Sequence, residues 1–146
     1  MANDKQIRDV MTPNPACVSA NDSIGEVAKI MAREDTGVVP VVDGKKVIGM
    51  ITDRDIVIRL VAAGKDPSNA KVNEAMTRNV RSVKEDSTVG DALQLMSSAQ
   101  IRRVAVVNTN NEIVGIVSMK DIATESKDAG NVGRTVEKIS EGPANK

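Results

Sequence analysis

Apolar positions along this 146-residue chain fall into short runs with two periodicities. Between Ile24 and Arg33 they recur at helical spacing, with Ile24, Val27, Ala28, Ile30 and Met31 on one face. Asn21-Asp22-Ser23 followed by Glu26 supplies a capping-box start for that helix. Gly37 is expected to end the turn behind it. Val38 to Val42 and Lys46 to Thr52 read as strands joined across Asp43-Gly44, a dipeptide that favours a tight hairpin. A second helix is expected from Asp53 to about Ala63, stopped by Gly64 and Asp66-Pro67. With Ala16 to Ser19 as a short first strand, the order is strand, helix, strand, strand, helix.

The same order returns. A strand is expected near Val80 to Val83, a helix from Val89 to about Ser98, strands over Arg103 to Val107 and Glu112 to Ser118, and a helix from Met119. Met11-Thr12 aligns with Met76-Thr77, Ser23-Ile24-Gly25-Glu26 with Thr88-Val89-Gly90-Asp91, and Val39-Pro40-Val41-Val42 with Val104-Ala105-Val106-Val107, at an offset of about 65 residues. One extra residue in the turn near Asn110 precedes the clearest shared phrase, Gly49-Met50-Ile51-Thr52-Asp53-Arg54-Asp55 against Gly115-Ile116-Val117-Ser118-Met119-Lys120-Asp121. Two copies of one supersecondary unit are expected to bury their apolar faces against each other. The predicted organisation is repeat 1 over 7–63, a linker over 64–71, repeat 2 over 72–125 and a partly disordered tail over 126–146. Ile7 to Met11 and Val72 to Met76 read as short lead-in turns. In the tail, Val132, Val136 and Ile139 are spaced for one short docking helix, and disorder is expected beyond Glu141.

Composition narrows the function classes. The chain is 40% hydrophobic and 27% charged, ordinary for a globular protein. No apolar run approaches the roughly 20 residues of a membrane span, and no apolar signal-peptide core follows Met1-Ala2-Asn3-Asp4-Lys5, so a cytoplasmic location without membrane partners is expected. Twenty basic and twenty acidic residues cancel, leaving no global field to attract nucleic acid. Histidine is absent, which removes the commonest general base and metal ligand, and Phe, Tyr and Trp are absent, which removes base-stacking platforms. The single cysteine, Cys17, excludes an internal disulfide and reads as a small buried or half-buried residue. The methionines recur in register with the repeat, so they are read as packing groups. No spacing suggests an activated nucleophile or a metal cluster. The chain is expected not to be an enzyme and to require no cofactor or metal.

Paired strand-helix-strand-strand-helix repeats, each led by Met-Thr, carrying a Val-Pro-Val-Val-type strand and ending in Gly-x-x-[Ser/Thr]-x-x-Asp, resemble a cystathionine-beta-synthase (CBS) domain pair, or Bateman module, over roughly Ile7 to Glu125. The resemblance implies an α+β fold of tandem CBS repeats with pseudo-two-fold symmetry, here of the stand-alone type. It further implies an adenosine-containing ligand (AMP, ADP or ATP, with S-adenosylmethionine or NAD as further members of the class) in clefts between the repeats, and two pairs associating as a disc-like homodimer.

Within the shared phrase, Asp55 and Asp121 are the candidates for the ribose, because a carboxylate can accept hydrogen bonds from vicinal hydroxyls. Thr52 and Ser118 fall where a strand becomes a helix, so their hydroxyls and the first-turn amides suit a phosphate. Thr52-x-x-Asp55 and Ser118-x-x-Asp121 also fit helix capping, worth about 1 kcal/mol; both readings stand. Arg54 and Lys120 oppose the helix dipole, which an anionic ligand would offset, and are otherwise solvated charges. Arg103 is read as a phosphate contact or a surface ion pair. Gly49 and Gly115 would allow close approach of a ligand or a neighbouring strand.

Without aromatics, an adenine pocket must be aliphatic. Val18, Val38, Val39, Pro40 and Ile51 are the candidates in repeat 1, with Val83, Val104, Ala105 and Val117 in repeat 2; the alternative for all of them is core. Ala105 departs from the proline usual in the family. The favoured function is a regulatory module that senses energy state or a metabolite through an adenine nucleotide, passing the signal to a protein effector. The alternative is a protein-interaction scaffold with degenerate sites, working through Ile24, Ile30, Met31, Val57 and Val61. A nucleic-acid role for Arg78, Arg81, Lys84, Arg102 and Arg103 is least favoured. Ile56, Val57, Leu60 and Val61 form an apolar arc wide enough to call for a second chain as cover.

Overall fold

The computed structural model describes residues 5–125. They form two compact units, one over residues 15–80 and one made of residues 5–14 with 81–125.

In the first unit, helix α1 (Ile24–Glu34) starts on Ser23, whose side chain accepts the amide of Glu26, and ends at Asp35 in the left-handed conformation (φ 50°). The helix thus stops two residues before Gly37, the residue expected to end this turn. Strands β2 (Val38–Asp43) and β3 (Lys46–Thr52) form the expected antiparallel hairpin, with Gly44 in the turn at φ 67°. Val18 adds a single parallel bridge to Val41, in place of the expected four-residue strand. Val18, Ile24, Val27, Ile30, Val39, Val41, Ile51 and Leu60 pack into one core with Val72, Ala75 and Met76.

The expected second helix is split. Helix α2 covers Asp53–Ile56, and Val57–Val61 continues as a π turn. Ile56 packs against the core and Leu60 is fully buried, so these two residues do not belong to the exposed arc expected from the sequence; Val57, Ile58 and Val61 remain exposed.

The second unit repeats the plan. Its elements are the lead-in strand β1 (Thr12–Pro13), β5 (Ser82–Lys84), α3 (Val89–Ala99), β6 (Arg103–Val107), β7 (Ile113–Ser118) and α4 (Met119–Glu125). The first unit supplies the matching lead-in strand, β4 (Thr77–Arg78). The sheet order is β1-β7-β6-β5, with β5 parallel to β6 and the other pairs antiparallel. Ile7, Val10, Val89, Leu93, Met96, Val104, Val106, Val117 and Ile122 centre the core.

Sequence repeat and packed unit differ in their bounds. The lead-in of repeat 1 joins the sheet of repeat 2, Thr12 pairing with Ile116 and the amide of Ile7 bonding the Ser87 carbonyl at 2.9 Å. In the same way Val72–Glu74 bonds back to Ala20 and Asp22, and β4 pairs with β3. The residues expected to be linker pack here too, as a 3₁₀ turn over Pro67–Asn69 capped by Asp66. The glycines of the shared phrase make the two sheets possible. A Cβ on Gly49 would meet the Met76 methyl and lie 2.5 Å from the Thr77 carbonyl oxygen, and one on Gly115 would meet the Met11 sulfur and lie 2.9 Å from the Thr12 carbonyl oxygen. Of the two readings of these glycines, close approach of a neighbouring strand is the one observed. The docking helix and the disorder expected of the tail lie outside the described residues.

Candidate functional site

At the first corner, where β3 runs into α2, Thr52 and Asp55 close a full capping box. The Thr52 amide donates to Asp55 Oδ2 and the Asp55 amide donates to Thr52 Oγ1, both at 3.0 Å. The Asp55 carboxylate is 14% exposed and has further partners. The Thr77 hydroxyl lies 3.3 and 3.4 Å from its two oxygens, and Arg59 Nε lies 3.8 Å from Oδ1. Arg59 also donates through Nη1 to the Met76 carbonyl at 2.9 Å. One side-chain cluster therefore ties α2 and the π turn to the lead-in strand β4.

The second corner, from β7 into α4, repeats the box: the Ser118 amide donates to Asp121 Oδ2 and the Asp121 amide to Ser118 Oγ, again at 3.0 Å. Its surroundings differ. Where repeat 1 has Arg59, the sequence has Glu125. Directly across the sheet from Ser118 stands Arg103, whereas Val38 stands across from Thr52. Arg103 is exposed and forms no ion pair among the described residues. Arg54 and Lys120, in the first turns of the two helices, are exposed as well.

Strand alternation sorts the nine adenine candidates. Val18, Val39, Ile51, Val104 and Val117 belong to the two cores, and Val83 packs against one of them. These six are engaged in packing within their own unit. Val38, Pro40 and Ala105 are buried but lie on the other sheet face. By pairing, that face also carries Thr52 and Met50 in the first unit and Ser118, Ile116 and Arg103 in the second. The corner hydroxyls thus share a face with only three of the nine.

Thr77 and Arg59 were not singled out by the sequence reading. Met-Thr was visible as a repeated pair without a role, and the Asp55–Arg59 spacing of four on a predicted helix was a readable ion-pair signal. Cys17 is half-buried with its sulfur 3.3 Å from the Pro15 carbonyl oxygen, and burial pushes its thiol above the ordinary value. Among the described residues no group of three or more Cys, Asp or Glu side chains could hold a metal ion, and no helix is long and apolar enough to cross a membrane.

Comparison with known proteins agrees with the fold. The CBS domain family profile matches residues 7–62 and 72–128. The CBS domain-containing protein YhcV of Bacillus subtilis is 38% identical over 134 residues, 92% of this chain and 94% of its own. Among solved structures, Hypoxic Response Protein I with two coordinated zinc ions superposes with a TM-score of 0.75 at 34% identity, covering 84% of this chain and 99% of that one. The CBS domain pair of protein MJ0100, in complex with 5′-methylthioadenosine and S-adenosyl-L-methionine, superposes with a TM-score of 0.73 at 34% identity, covering 82% and 98%. Two strand-helix-strand-strand-helix repeats with these corners define the fold class. The chain belongs to the CBS domain family and carries a CBS domain pair.

Proposed function

We propose that this protein is a non-catalytic regulatory module that binds an adenosine-containing ligand at a strand-to-helix corner and signals its occupancy as an energy or metabolite sensor. The observation that carries this reading is the repeated hydroxyl-carboxylate corner, in a chain 34% identical to a CBS pair that holds two adenosine compounds. The corner hydroxyl suits the ligand's polar end, a corner carboxylate suits ribose hydroxyls, and Val38, Pro40 and Ala105 offer apolar surface on the same sheet faces.

The absence of Phe, Tyr and Trp makes the test simple. The purified protein has almost no near-ultraviolet absorbance of its own, so a bound adenine compound is read directly. An adenine band that stays with the protein through desalting and is released by denaturation, or saturable uptake of added adenosine compounds, is the expected result. No band and no uptake would sink the reading.

A second copy is proposed as the cover for Val57, Ile58 and Val61, which are 52%, 49% and 55% exposed in one short stretch. The same patch favours the interaction-scaffold alternative if no nucleotide binds.

A further inference from the structure

We propose that the two corners are not equivalent: this chain holds one nucleotide, through the second-repeat corner, and its Asp55 is a positioning residue committed to the lead-in strand β4. This rests on the adenosine reading above and deepens it.

Two independent differences carry the inference. The first concerns the carboxylates. A carboxylate has about four acceptor positions, and Asp55 already faces the Thr52 amide, the Thr77 hydroxyl and the Arg59 guanidinium. With one position left, two ribose hydroxyls would have to displace Thr77 or Arg59. Arg59 cannot simply follow the ligand, because its Nη1 is bonded to the Met76 carbonyl. Met76 is buried, and its methyl occupies the space above Gly49. Opening the first corner therefore means loosening β4. At the second corner the capping box is present, the sequence carries Glu125 at the position of Arg59, and no cation pairs with Asp121 among the described residues.

The second difference concerns the phosphate. Arg103 lies in register with Ser118 on the same sheet face, exposed and without an ion pair among the described residues. Its counterpart in repeat 1 is Val38, buried and uncharged, in register with Thr52. A guanidinium beside a hydroxyl favours a phosphate-bearing nucleoside. A valine in that place does not. The ligand class is thus a nucleoside 5′-phosphate.

Equilibrium dialysis of the full chain against AMP, adenosine and S-adenosylmethionine tests this. The expected result is one AMP per chain, with Asp121→Asn and Arg103→Ala each weakening AMP by about tenfold or more. Arg103→Ala should leave adenosine unchanged. Asp55→Asn should keep both the stoichiometry and the affinity within about twofold while lowering the thermal midpoint. Arg103 is exposed, so its variant folds whatever becomes of the capping variants. Two AMP per chain, an Asp55→Asn loss as large as that of Asp121→Asn, or binding of S-adenosylmethionine without AMP would overturn the inference and leave the adenosine reading standing. Binding of none of the three would overturn that reading and the inference with it.

Discussion

Gly49 and Thr77 stand so close across the β3–β4 pair that a Cβ on the glycine would lie 2.5 Å from the threonine carbonyl oxygen. The Met76 methyl closes the same space from the side. Because backbone cannot give way as a flexible side chain can, Gly49→Ala is expected to destabilise the protein by about 1–3 kcal/mol, measured by chemical denaturation. Gly115→Ala should behave alike, since the Thr12 carbonyl oxygen and Met11 take the same places there. A neutral result at both positions would show that the lead-in strands are not held as described.

Arg59 fastens β4 through the Met76 carbonyl and the Asp55 carboxylate. Arg59→Met keeps most of the apolar stem and removes both contacts. Since the side chain is 48% exposed, the ion pair is largely screened and the hydrogen bond is the larger part, giving an expected loss of about 0.5–1.5 kcal/mol. Faster amide exchange should be confined to β3 and β4. Uniform or unchanged exchange would show that Arg59 does not fasten the strand.

Leu60 and Val61 are neighbours with opposite fates, one fully buried and the other 55% exposed. Leu60→Ala should cost about 2–5 kcal/mol through the cavity it leaves. Val61→Ser should cost little stability, yet convert the proposed dimer to monomer in light scattering. A wild type that is monomeric at micromolar concentration would remove the second copy as cover.

Burial raises the Cys17 thiol above its ordinary 9.0, so the folded state favours the neutral, protonated form. The associated stability is present at neutral pH and is lost as pH rises above the unfolded thiol's value, through the folded one. Wild type should therefore lose more stability than Cys17→Ala above about pH 9. Parallel curves for the two proteins would contradict the burial effect. Native thiol labelling should correspondingly lag behind labelling in denaturant.

Much of this fold is legible in the chain because its signals are local. Asp43-Gly44, Ser23 with Glu26, and Thr88 with Asp91 mark a turn and two helix starts that the structure contains. The exchange of lead-in strands was not legible. Thr12–Pro13 and Thr77–Arg78 are two-residue strands, too short to show a period, and their register is set by contacts at Gly115 and Gly49 far along the chain. The corner residues could be found from the repeat, but their adenine neighbours could not be sorted. Val38 and Val39 are both buried, at 6% and 0% exposure, so alternation in the sequence hides which face belongs to the core. The split of α2 into a π turn was not legible either, since Val57 to Val61 carries no glycine or proline to mark a break in the helix.

Ligand binding is the central claim, and the most direct measurement is saturation binding of adenosine compounds to the purified chain, read by adenine absorbance against a protein that lacks aromatic residues. Saturable uptake of AMP that is weakened by Asp121→Asn is the predicted result. No uptake of AMP, ATP, adenosine or S-adenosylmethionine at concentrations up to about 1 mM would contradict the account.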